Sequence, residues 1–271
     1  MGAAIYPVAL DLPAYLARIG YTGGLAPTRA TLDALHAAHA TSIPFENLDI
    51  LLGRPIRLDL ASIQAKLVAG RRGGYCFEQN ALFAAVLEHI GFAVTRLAAR
   101  VRFRTDRVLG RTHMTLRVNV GDVPLLADVG FGGEGPILPV PFDGTEARQY
   151  AWTYRLVADA GAHRLQSRRG GDGWEDLYIF TQEPQLPVDY EIANHYTSTH
   201  PASRFVLALT AQRVAPEGRR TLRNRDYAVD RGAEIDTRVL ADDDELLAVL
   251  AADFGLVFPA GTRFAYDPSD S

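Results

Sequence analysis

Cys76 is the only cysteine of the 271-residue chain, and it stands in the stretch RRGGYCFEQN. A thiolate is a strong nucleophile, and a helix N-terminus or a neighbouring imidazolium lowers the pKa of a thiol from its ordinary value of about 8.5. The preceding Gly-Gly pair permits a tight turn, and apolar residues from Leu82 to Ile90 repeat at helical spacing. We therefore expect Cys76 in the first turn of a buried helix, where free amide N–H groups stabilise negative charge on the sulfur or on an oxyanion.

A nucleophilic thiol needs a base, and His113 is the candidate. It lies in RTHMTLRVNV, where alternation predicts a strand that turns His113 away from the apolar face, towards a cleft. Asp128 stands fifteen positions later in VPLLADVGFGG, in an otherwise apolar predicted strand, where a carboxylate is costly without a partner. A turn near Gly121 would place the two side chains side by side. The three residues then form a Cys-His-Asp arrangement, in which the carboxylate orients the imidazole.

Simpler interpretations stay open on the residues alone. A lone cysteine is often an inert core residue, a strand histidine is often a satisfied polar residue, and an aspartate with apolar neighbours is often a turn residue. His36 and His39 are three positions apart with no carboxylate nearby, and we expect both on the surface. No histidine or cysteine spacing predicts a metal site, so we expect no metal.

The elements that must position these residues change character along the chain. Helical patterns come first, at 12–19, 28–40, 60–69 after an Asp59 N-cap, and from Cys76 to Ile90. Short segments rich in β-branched residues then predict an antiparallel sheet or small barrel from about 92 to 182. A helix at 189–199, a hairpin around APEG and a helix at 242–254 follow. This order predicts an α+β fold in three parts, with boundaries at 1–91, 92–186 and 187–271.

Composition limits the compartment and the partners. The net charge is −4 and the sequence pI is near 6.0, so nothing favours nucleic acid or an anionic membrane as a partner. No apolar run approaches the roughly 20 residues of a membrane span, and the N-terminus is a poor signal peptide. We expect a cytoplasmic protein, with no long segment after FAYDPSDS to shape a pocket. The sequence leaves open whether the chain forms a homodimer.

Several motifs together resemble one enzyme family. RRGGYCFEQN, THMTLRV, LADVGFGG, IPFENLDI and NHYTSTHPASRF occur in family order over about residues 43 to 205. This set is similar to that of the arylamine N-acetyltransferases. The resemblance implies an N-terminal helical bundle, a central antiparallel β-barrel-like sheet, a C-terminal α/β lid and a cysteine-protease-like active-site core.

The resemblance also implies a reaction and its participants. Cys76 would take an acetyl group from acetyl-CoA, the co-substrate, and pass it to an arylamine, arylhydrazine or N-hydroxyarylamine by a ping-pong mechanism, with His113 and Asp128 completing the triad. Further residues match family positions in three groups: Glu46 and Arg72 as a structural pair, Phe131, Phe45 and Phe205 as acceptor-pocket residues, and Thr112, Gly132 and Gly133 as CoA contacts. A surface salt bridge, core phenylalanines and a plain hairpin turn are the respective alternatives.

Rival functions share the triad. One is a related acyltransferase or amide synthase with another donor or acceptor. A second is a thiol hydrolase or transglutaminase-like enzyme, whose acyl-enzyme is attacked by water or lysine. A third is a binding module for CoA or aromatic ligands without activity.

Overall fold

The computed structural model describes residues 9–266. Residues 1–8 and 267–271 lie outside this range. The expectation of a poor signal peptide and the expectation about the segment at FAYDPSDS therefore fall partly on residues outside the description. Within it, no helix combines the length and the apolar character needed to cross a lipid bilayer.

Helices dominate the first third and recur near the end of the described chain. They are α1 (Leu12–Ile19), α2 (Arg29–Ser42), α3 (Leu48–Leu51), α4 (Leu60–Ile63), a π-helix (Gln64–Ala69), α5 (Cys76–Ile90), α6 (Pro187–Thr199), α7 (Arg204–Leu207) and α8 (Asp243–Phe254). Asp59 caps α4, as predicted, by accepting from the Ser62 amide. The predicted helix 60–69 is therefore present, but its second half has π rather than α hydrogen bonding.

The strands form two sheets. They are β1 (Phe45–Glu46), β2 (Ala93–Val101), β3 (His113–Val120), β4 (Val123–Ala127), β5 (Val140–Pro141), β6 (Ala147–Gln149), β7 (Trp152–Asp159), β8 (Ala162–Arg169), β9 (Glu175–Phe180), β10 (Thr210–Ala215), β11 (Gly218–Arg223), β12 (Asp226–Asp230) and β13 (Ile235–Val239). The predicted hairpin around APEG is the β10–β11 pair.

The central sheet is antiparallel throughout and nearly closes on itself. Its strand order is β5-β4-β3-β2-β9-β8-β7-β6. The Gln149 side chain joins the two edges, because its Oε1 accepts from the Ile137 and Leu138 amides and its Nε2 donates to the Leu138 carbonyl. This bridge supports the predicted barrel-like shape.

The second sheet, β1-β10-β11-β12-β13, joins a strand from the helical first third of the chain to four strands from its last third. Strand β1 follows α2 but pairs with β10, with Phe45 opposite Gln212. Helix α8 covers this sheet through Leu246, Leu250 and Phe254, which are almost completely buried. The α+β fold with N-terminal helices, a central barrel-like sheet and a C-terminal α/β portion is confirmed.

Helix α5 lies in the main core between the other helices and the central sheet. The apolar residues of its buried face are inaccessible to solvent and cluster with Met114 and Leu116 of β3; they include Phe77, Leu82, Phe83 and Leu87. The first turn of α5 is thereby held against the strand that begins at His113. Helix α5 begins at Cys76 and packs on the antiparallel sheet whose strand β3 begins at His113. This arrangement is the expected cysteine-protease-like core.

Candidate active site

Cys76 is the first residue of α5, as predicted, and Tyr75 precedes it as the N-cap. The residue is 3% exposed, and its thiol donates to the Thr112 carbonyl at 3.6 Å. The first amides of a helix have no acceptor within the helix, so their dipoles point towards this turn. These amides are therefore available as hydrogen-bond donors to a group bound at Cys76.

The turn before Cys76 needs glycine because two chain segments meet there. A Cβ at Gly73 would lie 2.2 Å from the Pro44 carbonyl oxygen, closer than any side chain tolerates. Gly74 bridges to Phe45, and its carbonyl accepts from the Glu46 amide at 3.1 Å. The Gly-Gly pair thus lets the turn that carries Cys76 pack directly on the segment around β1.

His113 and Asp128 form a buried pair. His113 Nε2 lies 2.6 Å from Asp128 Oδ2, and the two side chains are 4% and 0% exposed. Burial by itself disfavours the imidazolium, but the Asp128 carboxylate and the Cys76 sulfur raise the pKa of His113 to about 10. The pKa of Asp128 is lowered, because its interaction with His113 and its other hydrogen bonds outweigh the cost of burial. At neutral pH the pair is therefore an imidazolium and a carboxylate.

The carboxylate of Asp128 is fully satisfied. Its Oδ1 accepts from Asn80 Nδ2 at 2.9 Å and from the Gly130 amide at 3.0 Å. Its Oδ2 accepts from the Tyr178 hydroxyl at 2.8 Å, besides His113. The sequence predicted Asp128 within a strand. In the structure it lies just after the end of β4. Because the strand ladder ends before it, the residue is free to turn towards these donors.

Helix α2 contacts Asp128 through the side chain of His36. Our expectation that His36 and His39 lie on the surface was wrong. His36 and His39 are completely buried, not on the surface. The Asp128 amide donates to His36 Nε2 at 3.0 Å, so Nδ1 carries the proton and donates to the Ile137 carbonyl at 2.8 Å. Burial lowers the pKa of His36 to about 4 and keeps the ring neutral. The sequence misled us because the partners of this ring lie about a hundred residues away.

His39 is the second buried histidine of α2. Its Nδ1 lies 2.9 Å from the Tyr15 hydroxyl and its Nε2 lies 3.2 Å from Gln79 Oε1. Gln79 in turn donates to the Gly74 carbonyl at 2.8 Å. Burial lowers the pKa of His39 to about 3. His39 therefore supports the turn that carries Cys76 through a chain of neutral hydrogen bonds.

A cavity of about 270 Å³ opens onto Cys76 and His113. The three predicted pocket phenylalanines, Phe45, Phe131 and Phe205, line it together with Thr112. The Phe131 ring stands edge-on to His113 with 5.1 Å between ring centroids. Phe103, Leu109, Tyr196 and Arg204 also line the cavity. A mostly apolar cleft beside a thiol and an imidazolium suits a flat aromatic group that reacts at the sulfur.

The two glycines predicted to contact CoA lie apart from the lining of this cavity. A Cβ at Gly132 would meet Gln212 Oε1 at 2.0 Å, and its φ of +91° also requires glycine. The Gly133 amide donates to Gln212 Oε1 at 2.8 Å. Both glycines therefore pack against β10.

The predicted Glu46–Arg72 contact belongs to a larger ion-pair cluster of Glu46, Asp49, Lys66, Arg72 and Glu78. Arg72 lies 2.7 Å from Glu46 and 3.2 Å from Asp49, and Lys66 lies 3.1 Å from Asp49 and 2.8 Å from Glu78. The pair is mostly buried, with Arg72 14% and Glu46 0% exposed, rather than a surface salt bridge. Glu78 also accepts from the Tyr75 amide at 3.1 Å, so the cluster anchors the helix turn that carries the thiol.

Sequence reasoning missed Asn80, Tyr178 and His36 as partners of Asp128. For Asn80 a signal was present, because it lies four residues after Cys76 and so on the same face of α5. Tyr178 and His36 carry no such signal. Their roles depend on the packing of β9 and α2 around the site.

The chain is similar to known proteins over most of its length. A family model described as N-acetyltransferase matches residues 28–262. The arylamine N-acetyltransferase of Mycolicibacterium smegmatis is 41% identical, covering 92% of this chain and 93% of that protein. The chain belongs to the arylamine N-acetyltransferase family. A solved family structure from Mycobacterium smegmatis has a TM-score of 0.88 at 41% identity, covering 92% and 93% of the two chains.

Two further relatives bear on the ligands. The Mycobacterium marinum enzyme in complex with CoA has a TM-score of 0.86 at 37% identity, covering 91% of this chain and 93% of that one. A relative from Gibberella moniliformis, named N-malonyltransferase, is 30% identical over 68% of this chain and 62% of its own length. Relatives of this chain are therefore named for different acyl groups.

Proposed function

We propose that this chain transfers the acetyl group of acetyl-CoA to the nitrogen of arylamines, arylhydrazines and N-hydroxyarylamines through an acetyl-cysteine intermediate. The observation that carries the proposal is the meeting of a buried thiol, an imidazolium held 2.6 Å from a carboxylate, and an apolar cavity in a member of this family. We assign Cys76 as nucleophile, His113 as acid and base, and Asp128 as the residue that orients the ring.

The first half-reaction loads the enzyme. The Cys76 thiolate attacks the thioester carbonyl of acetyl-CoA, and amides of the first turn of α5 stabilise the oxyanion. The C–S bond to CoA then breaks, and the His113 imidazolium gives its proton to the departing CoA sulfur. An acetyl thioester remains on Cys76. Exchange of one thioester for another is nearly balanced in free energy, so this intermediate is accessible.

The second half-reaction transfers the acetyl group from Cys76 to the acceptor. An arylamine is a weak base and is largely uncharged at neutral pH, so its nitrogen can attack the acetyl carbonyl. His113 accepts the amine proton as the C–N bond forms, and the bond to Cys76 breaks. The hydrogen bond from Nε2 to Asp128 fixes the ring and leaves Nδ1 for these proton transfers. The phenylalanines of the cavity would hold the aromatic ring of the acceptor.

The remaining assignments follow the same arrangement. Residues 1–91 would supply the nucleophile, 92–186 the histidine and aspartate, and 187–271 a lid over the cavity. We propose that Thr112, which lines the cavity, approaches CoA. For the loop of Gly132 and Gly133 the same proposal rests on the family resemblance alone. Glu46 and Arg72 would act structurally.

The decisive experiment detects acetylated Cys76 by mass spectrometry after mixing with acetyl-CoA, then measures loss of the adduct on addition of an arylamine. We expect one acetyl group per chain in wild type and none in Cys76→Ser, with at least a ~10³-fold loss of turnover in the variant. Release of CoA that is independent of the amine would instead favour a thiol hydrolase. Turnover in Cys76→Ser would refute the nucleophile assignment.

A second candidate differs in its donor. The N-malonyltransferase relative favours testing a longer, charged acyl group, because the triad would be identical. A panel of acetyl-, propionyl- and malonyl-CoA with one arylamine separates the two candidates. Preference for malonyl-CoA would reassign the donor and keep the triad.

A further inference from the structure

Arg204 is a cavity residue that the proposed reaction does not use. It is the first residue of α7, it is exposed to solvent, and it lines the cavity that opens onto Cys76. Its guanidinium carbon lies 5.3 Å from the centroid of the Phe205 ring. Phe205 in turn packs on Phe45 and Tyr75, with centroids 5.8 Å and 5.7 Å away. The cation therefore lies along the aromatic wall of the cavity.

The positive charge of Arg204 is not balanced by a protein carboxylate. Within residues 9–266, Arg204 donates no hydrogen bond and forms no ion pair, in contrast to Arg72 and Arg219, which do both. Glu134 is the only carboxylate of the described residues that lines this cavity, and it is paired with Arg219 at 3.2 Å. Two causes lower the pKa of Arg204: the surrounding protein displaces water from the guanidinium, and the positive charge of Arg223 lies nearby. The protein thus holds one uncompensated cation on the cavity wall.

We propose that Arg204 binds an anionic group of a ligand in this cavity, an inference that rests on the proposed function. A guanidinium matches a carboxylate or a phosphate in a two-pronged hydrogen bond, and such charge-assisted bonds are the strongest that a polar side chain makes. An anion at this point would also relieve the repulsion between Arg204 and Arg223. An aromatic amine stacked on Phe205 would place a ring carboxylate beside the guanidinium.

Two ligands can supply this anion: a carboxylate on the aromatic acceptor, or a phosphate of the CoA donor. The test compares wild type with Arg204→Gln and Arg204→Lys. One arm measures KM for 4-aminobenzoate and for the neutral 4-aminobenzamide with acetyl-CoA. The other measures KM for acetyl-CoA and for S-acetylpantetheine, which lacks the phosphates, with 4-aminobenzamide.

We expect Arg204→Gln to raise KM about tenfold or more for the anionic member of one pair and to leave its neutral partner within about twofold, with partial rescue in Arg204→Lys. The pair that responds identifies the source of the anion. Arg57→Gln is the matched control, because Arg57 is 70% exposed, pairs with Asp59 and does not line the cavity. It should leave all four values unchanged.

An equal change for charged and neutral ligands, or no change, would overturn the inference. Calorimetric titration of 4-aminobenzoate and of CoA into wild type and Arg204→Gln gives a readout that does not depend on turnover. If wild type acetylates Cys76 but the variant binds both anions as tightly, only the role of Arg204 fails. If wild type forms no acetyl-cysteine, the proposed function fails, and the titrations still decide the anion site.

Discussion

Two buried polar networks meet at the first turn of α5, and they differ in what their charges face. On one side His113, Asp128, Asn80, Tyr178 and His36 form a carboxylate network that borders the cavity. On the other side is the ion-pair cluster around Arg72, whose two cations lie between three carboxylates. Both networks are mostly buried, and both fix the position of Cys76.

The difference lies in the groups left available for chemistry. In the carboxylate network every oxygen of Asp128 is satisfied, while the imidazolium of His113 borders the thiol and the cavity. In the ion-pair cluster the charges are paired with one another: the pKa values of Lys66 and Arg72 are raised because the neighbouring carboxylates outweigh burial. Buried charges alone therefore do not mark a catalytic site. A proton donor or acceptor must also face a space that a substrate can enter.

The largest expected effect comes from Asp128→Asn. The amide would still contact His113, but it would favour the wrong tautomer and remove the charge that keeps the ring protonated. We expect turnover to fall by roughly 10³- to 10⁴-fold and some loss of stability, since several donors would lose a charged acceptor. Steady-state acetylation rates measure the first effect and chemical denaturation the second. Rates close to wild type would contradict the triad and erase the contrast between the networks.

Glu46→Gln tests the ion-pair cluster. It removes one charge from a buried pair and leaves Arg72 with Asp49 as its remaining charged partner, so we expect a loss of about 3 kcal/mol in the free energy of unfolding. Turnover per folded molecule should fall far less than in Asp128→Asn. Glu88→Gln is the matched control, because its pair with Arg96 is partly exposed, and it should cost about 0.5 kcal/mol. Catalytic loss as large as that of Asp128→Asn would assign the cluster a chemical role.

His36→Leu probes the carboxylate network from behind. It leaves the Asp128 amide and the Ile137 carbonyl buried without partners, at a cost of about 1–3 kcal/mol for each group. We expect stability to fall and kcat to fall about tenfold through the altered position of Asp128. His36→Gln retains an acceptor and a donor and should recover most of the rate. Unchanged kcat in the leucine variant would show that the carboxylate keeps its position without α2.

The smallest effect, taken over a single pH unit, is a pH dependence of stability. The pKa of His113 is raised to about 10 in the folded chain and is near 6.5 in the unfolded chain. Its contribution is therefore complete below pH ~6.5, and it is lost as the pH rises towards 10, by up to about 1.4 kcal/mol per pH unit. Denaturation across this range should show a decline that His113→Gln flattens. The exposed His195→Gln serves as the control and should keep the decline.

Much of the site was predictable because it depends on local spacing. The helix start at Cys76 follows from the Gly-Gly turn and the apolar stripe, and the β3–β4 hairpin follows from alternation broken near Gly121. Register then brings His113 and Asp128 together. The Glu46–Arg72 contact and the three cavity phenylalanines were expected only from the family resemblance. The surface assignment of His36 and His39 was wrong, because burial depends on neighbours far along the chain.

The sequence by itself determined the three candidate residues, the order of helices and strands, and the α+β class, since each rests on periodicity or on turn chemistry. The tertiary structure alone decided that four donors satisfy Asp128, that α2 holds it from behind, and that Arg204 lines the cavity without a carboxylate partner among the described residues. Most of these contacts join segments that lie from about fifty to more than a hundred residues apart. Side chains that meet only through packing leave no periodic signal in the chain, so they become visible when the sheet and the helices are assembled.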